Sequence, residues 1–340
     1  MEYNNILLIK MSSLGDILHS LPFAAALRKR FPKARITWLV HPQFAGFLPE
    51  PPVIDEVIYF DKVKFNKMGL ADKLSYIKQM RAKLHKRKFD LVIDLQGLFK
   101  SAVLAALSGC DNRIGYAEMR EGSGLVSKAI AGSHRHDHVI ERYLDVARYL
   151  GAEVIELEFP MPDITRESAA IKQRLADAGC NGDYIVMVPG ARWETKVWPP
   201  EYYAELAQML IKDGFYVVLV GGPEDVPKGA TIVQKAAMPP ELIDLTGKTS
   251  LRELAALIKA CHLYISADTG PLHFAAALKK PLVAMYGPTK ADRTGPYGSE
   301  NITVIAAPVK CAGCLKKQCD DWRCMYAITP QMVYAASKIK

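Results

Sequence analysis

Short apolar runs alternate with longer amphipathic stretches along the whole chain. In the first half, the runs at residues 5–10, 35–40, 56–60, 90–95 and 113–115 predict strands. In the second half, strands are predicted at 184–188, 216–220, 243–246, 264–267, 282–286 and 303–306. Between them, residues 17–31, 72–88, 139–150, 201–213 and 250–260 carry apolar positions at helical spacing. Strands alternating with helices in this way predict parallel sheets covered by helices, an α/β fold.

The pattern breaks at residues 158–163, where Pro160 and Pro162 push their neighbours off the helical region. That segment reads as a linker. It separates two doubly wound, Rossmann-like domains, residues 1–160 and 165–325, each large enough for its own core. Doubly wound halves are expected to bind their ligand in a cleft at the carboxyl ends of their strands.

The chain has 340 residues, 50% apolar and 24% charged, which excludes disorder, collagen-like sequence and a coiled coil. No apolar run reaches the ~18 residues of a membrane span. Acidic Glu2 ahead of the first strand does not read as a secretory signal. Seven cysteines are too few for a disulfide scaffold of this size, so a reducing cytoplasm is expected. The net charge of +8 points to a polyanionic partner or surface without saying which. The basic residues do not interleave with aromatics, so nucleic acid is not expected.

Four stretches could carry chemistry. The first strand runs through Lys10 into Ser12, Ser13, Gly15 and Asp16. Gly15 permits a sharp turn there, and Asp16 is either the N-cap of the next helix or a general base. A second loop, Pro189 to Pro199, offers Arg192 and Lys196 as a phosphate clamp. A third, Asp268-Thr269-Gly270-Pro271-Leu272-His273, runs from a strand into a helix. Its N–H groups from Thr269, Gly270 and Leu272 onward suit a pyrophosphate. Cys311, Cys314, Cys319 and Cys324 could hold a structural zinc or remain reduced thiols. The alternating histidines from His134 to His138 read as a solvated loop. There is no Walker A motif and no clean Gly-x-Gly-x-x-Gly, which counts against kinases, ATPases and dehydrogenases.

The segment from Lys10 to Pro22 resembles the opening of the bacterial lipopolysaccharide heptosyltransferases, glycosyltransferase family 9. So do Asp94-Leu-Gln96-Gly97-Leu-Phe-Lys100-Ser101, Lys196-x-Trp-Pro199, Asp268 to His273 and Tyr286-Gly-Pro-Thr289, in the family's order. The second of these is most similar to the enzymes that add the first heptose. The resemblance implies a GT-B fold, with an acceptor-binding first domain and a nucleotide-sugar-binding second domain. It also implies a final helix, residues 326–340, crossing back to the first domain.

It further implies inverting transfer of heptose from ADP-heptose to a Kdo residue of the inner core, with Asp16 as general base and Lys196 on the departing ADP. Donor contacts are expected from Ser13, Gly15, Arg192, Lys196, Glu224, Asp225, Thr249, Leu251, Asp268, Thr269, Gly270 and His273. Acceptor contacts are expected from Lys62, Lys64, Lys67, Gln96, Lys100, Arg120 and Arg142. No cofactor is required for catalysis. The protein is expected to work as a monomer, peripherally, on the inner face of the cytoplasmic membrane. Arg192 stands where the first-heptose enzymes have threonine, and the cysteine cluster occurs in other members. A heptose acceptor, another nucleotide sugar and a catalytically silent binding module therefore stay open.

Overall fold

The computed structural model describes residues 2–338. The first unit, ending at Pro162, holds β1 (Asn5–Ile9), β2 (Arg35–Val40), β3 (Glu56–Tyr59), β4 (Leu91–Asp94), β5 (Arg113–Tyr116) and β6 (Lys128–Ile130). They form one sheet in the order β3-β2-β1-β4-β5-β6. The second unit starts at Asp163. It holds β7 (Tyr184–Val188), β8 (Tyr216–Leu219), β9 (Leu242–Asp244), β10 (Leu263–Ala267), β11 (Leu282–Tyr286) and β12 (Ile302–Ala306). Their order is β12-β11-β10-β7-β8-β9. Counted from its own first strand, each sheet has the dinucleotide-binding arrangement, and all pairings are parallel. Two Rossmann-like, doubly wound units of this kind make up the GT-B class of α/β fold. The division between them falls within the segment marked by Pro160 and Pro162.

Parallel strands covered by helices on both faces must be apolar on both faces. Ile6 to Ile9 in β1 and every residue of β7, β10 and β11 are accordingly buried. The sequence pattern misses β6, which has three residues with only Ile130 buried. An edge strand this short has no apolar run to announce it. The helix expected over 17–31 is two helices, Leu14–His19 and Leu21–Arg30. Pro22 lies in the first turn of the second and cannot donate backward into a continuous helix. Ser20 is the joint, its hydroxyl bonded to the Asp16 carbonyl at 2.8 Å.

The final helix is Pro330–Ser337; Ile339 and Lys340, at the end of the expected 326–340 segment, lie outside the described residues. Within the second unit this helix makes the following contacts. Val333 is fully buried in that unit's core beside Trp198 and Met325. Gln331 donates to Glu205 at 2.7 Å, and the Tyr334 hydroxyl donates to Asp213 at 3.0 Å. An apolar side chain at Val333 and polar ones around it suit that nearby helix surface. Among the described residues no helix is long and apolar enough to cross a membrane.

Trp198 ties the loop after β7 to this C-terminal segment. It is fully buried, packs edge-on to Tyr203 at 4.8 Å and donates its indole N–H to the Ile328 carbonyl at 2.7 Å. Trp198→Ala is expected to destabilise the second unit by about 3–5 kcal/mol through the cavity and the unpaired carbonyl. Urea unfolding followed by circular dichroism checks this; an unchanged midpoint would contradict it.

Candidate active site

In the first sheet β1 and β4 are neighbours at the point where strand order reverses. Right-handed crossovers send the chain to opposite faces there, and the loops part to leave room for a ligand. Ile9 pairs with Asp94, so Lys10 and Leu95 leave the sheet side by side. The buried Lys10 ammonium donates to the Leu95 carbonyl at 2.9 Å and to the Tyr143 hydroxyl at 2.7 Å. It stands 3.9 Å from Asp16 Oδ1. A buried cation needs partners of this kind because an uncompensated charge away from water is costly. Burial first, and the charge of Asp16 next, push the Tyr143 hydroxyl well above its ordinary pKa, so it stays protonated.

The Asp16 side chain is 40% exposed. Its Oδ2 accepts from Ser13 N at 2.8 Å and from Ser13 Oγ at 2.7 Å. Ser13, rather than Asp16, is the N-cap of helix Leu14–His19; Asp16 is the third helical residue. An acid at that position folds back on the cap amide, which fixes the loop and meets the positive end of the helix. Gly15 lies within the helix and does not make the turn. Ser13, immediately before the helix, is extended at φ −86° and ψ −172°. The result is a carboxylate held in place at the carboxyl end of β1 and reachable from solvent. Such a group can take a proton from a hydroxyl.

Two expected acceptor contacts serve the scaffold. Gln96 uses its amide oxygen to accept from Met11 N at 2.9 Å and Ser12 N at 3.1 Å, so it braces the Asp16 loop from β4. Arg142 is buried, donates to the Asp137 carbonyl at 2.7 Å and pairs with Glu118 at 2.7 Å. Its charge is engaged within the protein because it sits on the inner face of helix Val139–Tyr149. Lys100 and Arg120 are exposed. Arg120 is tied to the β4 loop through its N–H on the Gly97 carbonyl at 2.9 Å. Gly97 has φ +63°, and a Cβ there would come within 2.9 Å of Tyr116. Lys62, Lys64 and Lys67 are exposed on helix Lys62–Lys67, which follows β3 at the same carboxyl edge.

The second sheet repeats the arrangement with β7 and β10. Val188 pairs with Ser266, so Gly190 and Asp268 emerge together two residues later. Lys196 Nζ lies 2.6 Å from Asp268 Oδ2, with side chains 15% and 12% exposed. It also sits 4.4 Å from the centre of the Trp193 ring. Arg192 is exposed beside them. The Leu272 and His273 N–H groups are not free for an anion: they donate to the Thr269 and Gly270 carbonyls, both at 3.2 Å, closing tight turns. Those of Thr269 and Gly270 have no backbone acceptor among the described residues. His273 is buried in the short helix Leu272–Ala277.

After β8, Asp225 is buried and accepts from Gly222 N at 3.1 Å. A Cβ on Gly190 would fall 2.1 Å from the Asp225 carboxyl, so glycine lets the β7 and β8 loops approach. Asp225 is thus committed to holding loops together, while the adjacent Glu224 is exposed. Thr249 and Leu251, both half-buried, flank Ser250, the N-cap of helix Leu251–Ala260 after β9. The expected donor contacts of the second unit therefore share one sheet edge. Ser13 and Gly15 belong to the first unit.

Among the described residues no group of three or more His, Cys, Asp or Glu side chains could hold a metal ion. Cys311, Cys314 and Cys319 are exposed, whereas Cys324 is buried against the core beside Met325. Burial, then the neighbouring Cys311, pushes the Cys324 thiol up. Their loop leans on the sheet edge. Leu315 N bonds to the Pro288 carbonyl at 2.7 Å, and Thr195 Oγ1 bonds to the Lys316 carbonyl at 2.9 Å. Lys317 lies 5.3 Å from the Trp193 ring centre, so this indole meets two lysines.

Sequence reasoning also missed Tyr143, 133 residues from Lys10, and the Glu118–Arg142 pair. The histidine tract is only partly solvated. His138 is buried, caps the Val139–Tyr149 helix and packs edge-on to His19 at 5.3 Å. Its place immediately before an amphipathic run was the available signal.

A family model described as "Glycosyltransferase family 9 (heptosyltransferase)" matches residues 77–323. The chain is 30% identical over 322 residues to lipopolysaccharide heptosyltransferase 1 of Pseudomonas aeruginosa, covering 92% of this chain and 87% of that protein. It is also 30% identical over 304 residues to lipopolysaccharide heptosyltransferase 2 of Escherichia coli, covering 86% and 85%. The solved E. coli ADP-heptose lipopolysaccharide heptosyltransferase II superposes with TM-score 0.76 at 26% identity, covering 99% of this chain and 97% of that one.

Lys10→Met removes the donor to Leu95 and Tyr143 and the cation beside Asp16. It is expected to destabilise the first unit by about 1–3 kcal/mol. Chemical denaturation checks it; unchanged stability would show that water or another group replaces the ammonium.

Proposed function

Because the chain belongs to glycosyltransferase family 9, we propose that it moves heptose from ADP-heptose, with inversion, onto a Kdo residue of the lipopolysaccharide inner core. It is a glycosyltransferase, and lipopolysaccharide heptosyltransferases 1 and 2 are its relatives. The observation that carries the mechanism is the exposed, braced Asp16 carboxylate at the reversal point of the first sheet. Asp16 takes the proton of the acceptor hydroxyl as that oxygen attacks the anomeric carbon. The bond from that carbon to ADP breaks as the new one forms. General-base help of this kind is worth about 10²–10⁴-fold in rate.

The second unit receives the donor. Lys196, held by Asp268 and Trp193, meets the departing diphosphate, and the Thr269 and Gly270 N–H groups add donors where negative charge develops. Arg192 and His273 shape the same edge. Glu224 is the better placed acid for the ribose hydroxyls, since Asp225 is engaged. Thr249 and Leu251 line the base. On the first unit Lys100 and Arg120 meet the anionic acceptor, together with Lys62, Lys64 and Lys67. The protein acts as a monomer on the inner face of the cytoplasmic membrane. The equal identity to a type 2 enzyme favours one alternative, a heptose acceptor.

Incubation with ADP-heptose and either Kdo₂-lipid A or its heptosylated form, followed by mass spectrometry, is the direct test. A heptose-sized gain on the bare Kdo acceptor is expected. A gain on the heptosylated form alone would move the step to the second heptose, and no gain on either would point to another donor. Asp16→Ala is expected to lower transfer by about 10²–10⁴-fold while ADP affinity stays within a few-fold. Lost ADP binding would make Asp16 structural. Lys196→Ala is expected to weaken ADP binding and kcat together, measured by calorimetry and initial rates; an unchanged kcat would remove it from the mechanism.

A further inference from the structure

The positive charge of this protein is concentrated in one stretch. Residues 62–88 contain ten lysines and arginines against a single acid, Asp72. The excess of +8 over the whole chain is therefore carried by this stretch alone, the remaining residues netting −1. It forms two helices: Lys62–Lys67 follows β3 at the same sheet edge as the Asp16 loop, and Leu70–His85 runs from there back to the opposite edge, where Arg87 meets Glu56 and Asn5.

The inner face of the pair is anchored. Phe65 and Tyr76 pack on Phe60 at 5.6 Å and 5.8 Å, and Met80 and Leu84 are buried in the first unit's core. The outer face has no such cover among the described residues. Helix Lys62–Lys67 has no buried residue. Val63 is 55% exposed, Leu70 78% and Leu74 62%. At about 100° per residue, Leu70, Leu74, Lys78, Arg81 and His85 fall within an arc of about 80°, and all are exposed. One stripe thus presents aliphatic side chains at its start and cations at its end.

We propose that this stripe docks on an anionic lipid bilayer, Leu70 and Leu74 entering the headgroup boundary and Lys78 and Arg81 pairing with lipid phosphates. The inference rests on the acceptor being a membrane lipid, and it names the surface that holds the first unit at that membrane. A bilayer interface takes both chemistries at once, aliphatic insertion and basic attraction. Nucleic acid would use the cations but leave the leucines in water, and the stripe offers no Phe, Tyr or Trp ring for stacking a base.

Sedimentation of the full chain with vesicles tests it. The protein is expected to sediment with phosphatidylcholine–phosphatidylglycerol vesicles, to remain in solution with phosphatidylcholine alone, and to be released by salt. L70S/L74S and K78E/R81E should each lower partitioning by about ten-fold, with ADP affinity unchanged as evidence of folding. Equal binding to neutral vesicles, no binding, insensitivity to either pair, or tighter binding to single-stranded RNA would overturn the proposal. Transfer to a detergent-dispersed acceptor separates the two ideas. Activity without vesicle binding refutes the docking surface alone. Vesicle binding without any transfer refutes the heptose reading alone.

Discussion

Where a parallel sheet reverses its strand order, two neighbouring strands end side by side and their chains leave on opposite faces. The backbone and side chains at that point must find partners other than the sheet. Both units meet this constraint at one place, between β1 and β4 and between β7 and β10. The Asp16 loop and the Asp268 loop lie there because they follow β1 and β10. Most of the remaining organisation, including which loops crowd each edge, follows from it.

The two gaps are furnished by the same means but to different degrees. Each has a lysine beside an aspartate and an aromatic ring: Lys10 with Asp16 and Tyr143, Lys196 with Asp268 and Trp193. Lys10 is inside the protein, where its hydrogen bonds to Leu95 and Tyr143 are structural necessities. Lys196 is nearer the surface, and its short contact with Asp268 leaves it able to share its protons with an arriving anion. A cation that holds the scaffold in one unit therefore corresponds to a cation suited to a ligand in the other.

Parts of the chain outside the two sheets extend these edges. The cysteine-bearing loop lies against the loops after β7 and β11, and brings Lys317 to the ring already occupied by Lys196. The first basic helix after β3 does the same for the first unit, and the second runs back along the sheet, with an inner face fixed by aromatics and an outer one left to solvent. In both cases a small number of packed or hydrogen-bonded residues fixes a strongly polar segment in a defined place.

The amino-acid sequence by itself determined the parallel sheets, because Ile6 to Ile9 and the runs of β7, β10 and β11 are apolar throughout, and only burial on both faces explains that. It also determined that Asp16, Lys196 and Asp268 fall just after strands, where local spacing suffices. The short edge strand β6 and the helix break at Ser20 were harder to read, since three residues carry no period and Pro22 is tolerated in a first helical turn. Tertiary structure alone decided which charges were already engaged. Arg142 and Gln96 have the chemistry of acceptor contacts, yet Glu118 and the Met11–Ser12 backbone take them up. Of the four clustered cysteines, Cys324 is drawn into the core while the others stay outside. Spacing along a chain limits which groups can meet, but burial and long-range pairing choose among them, and those depend on contacts more than a hundred residues apart such as Lys10 with Tyr143.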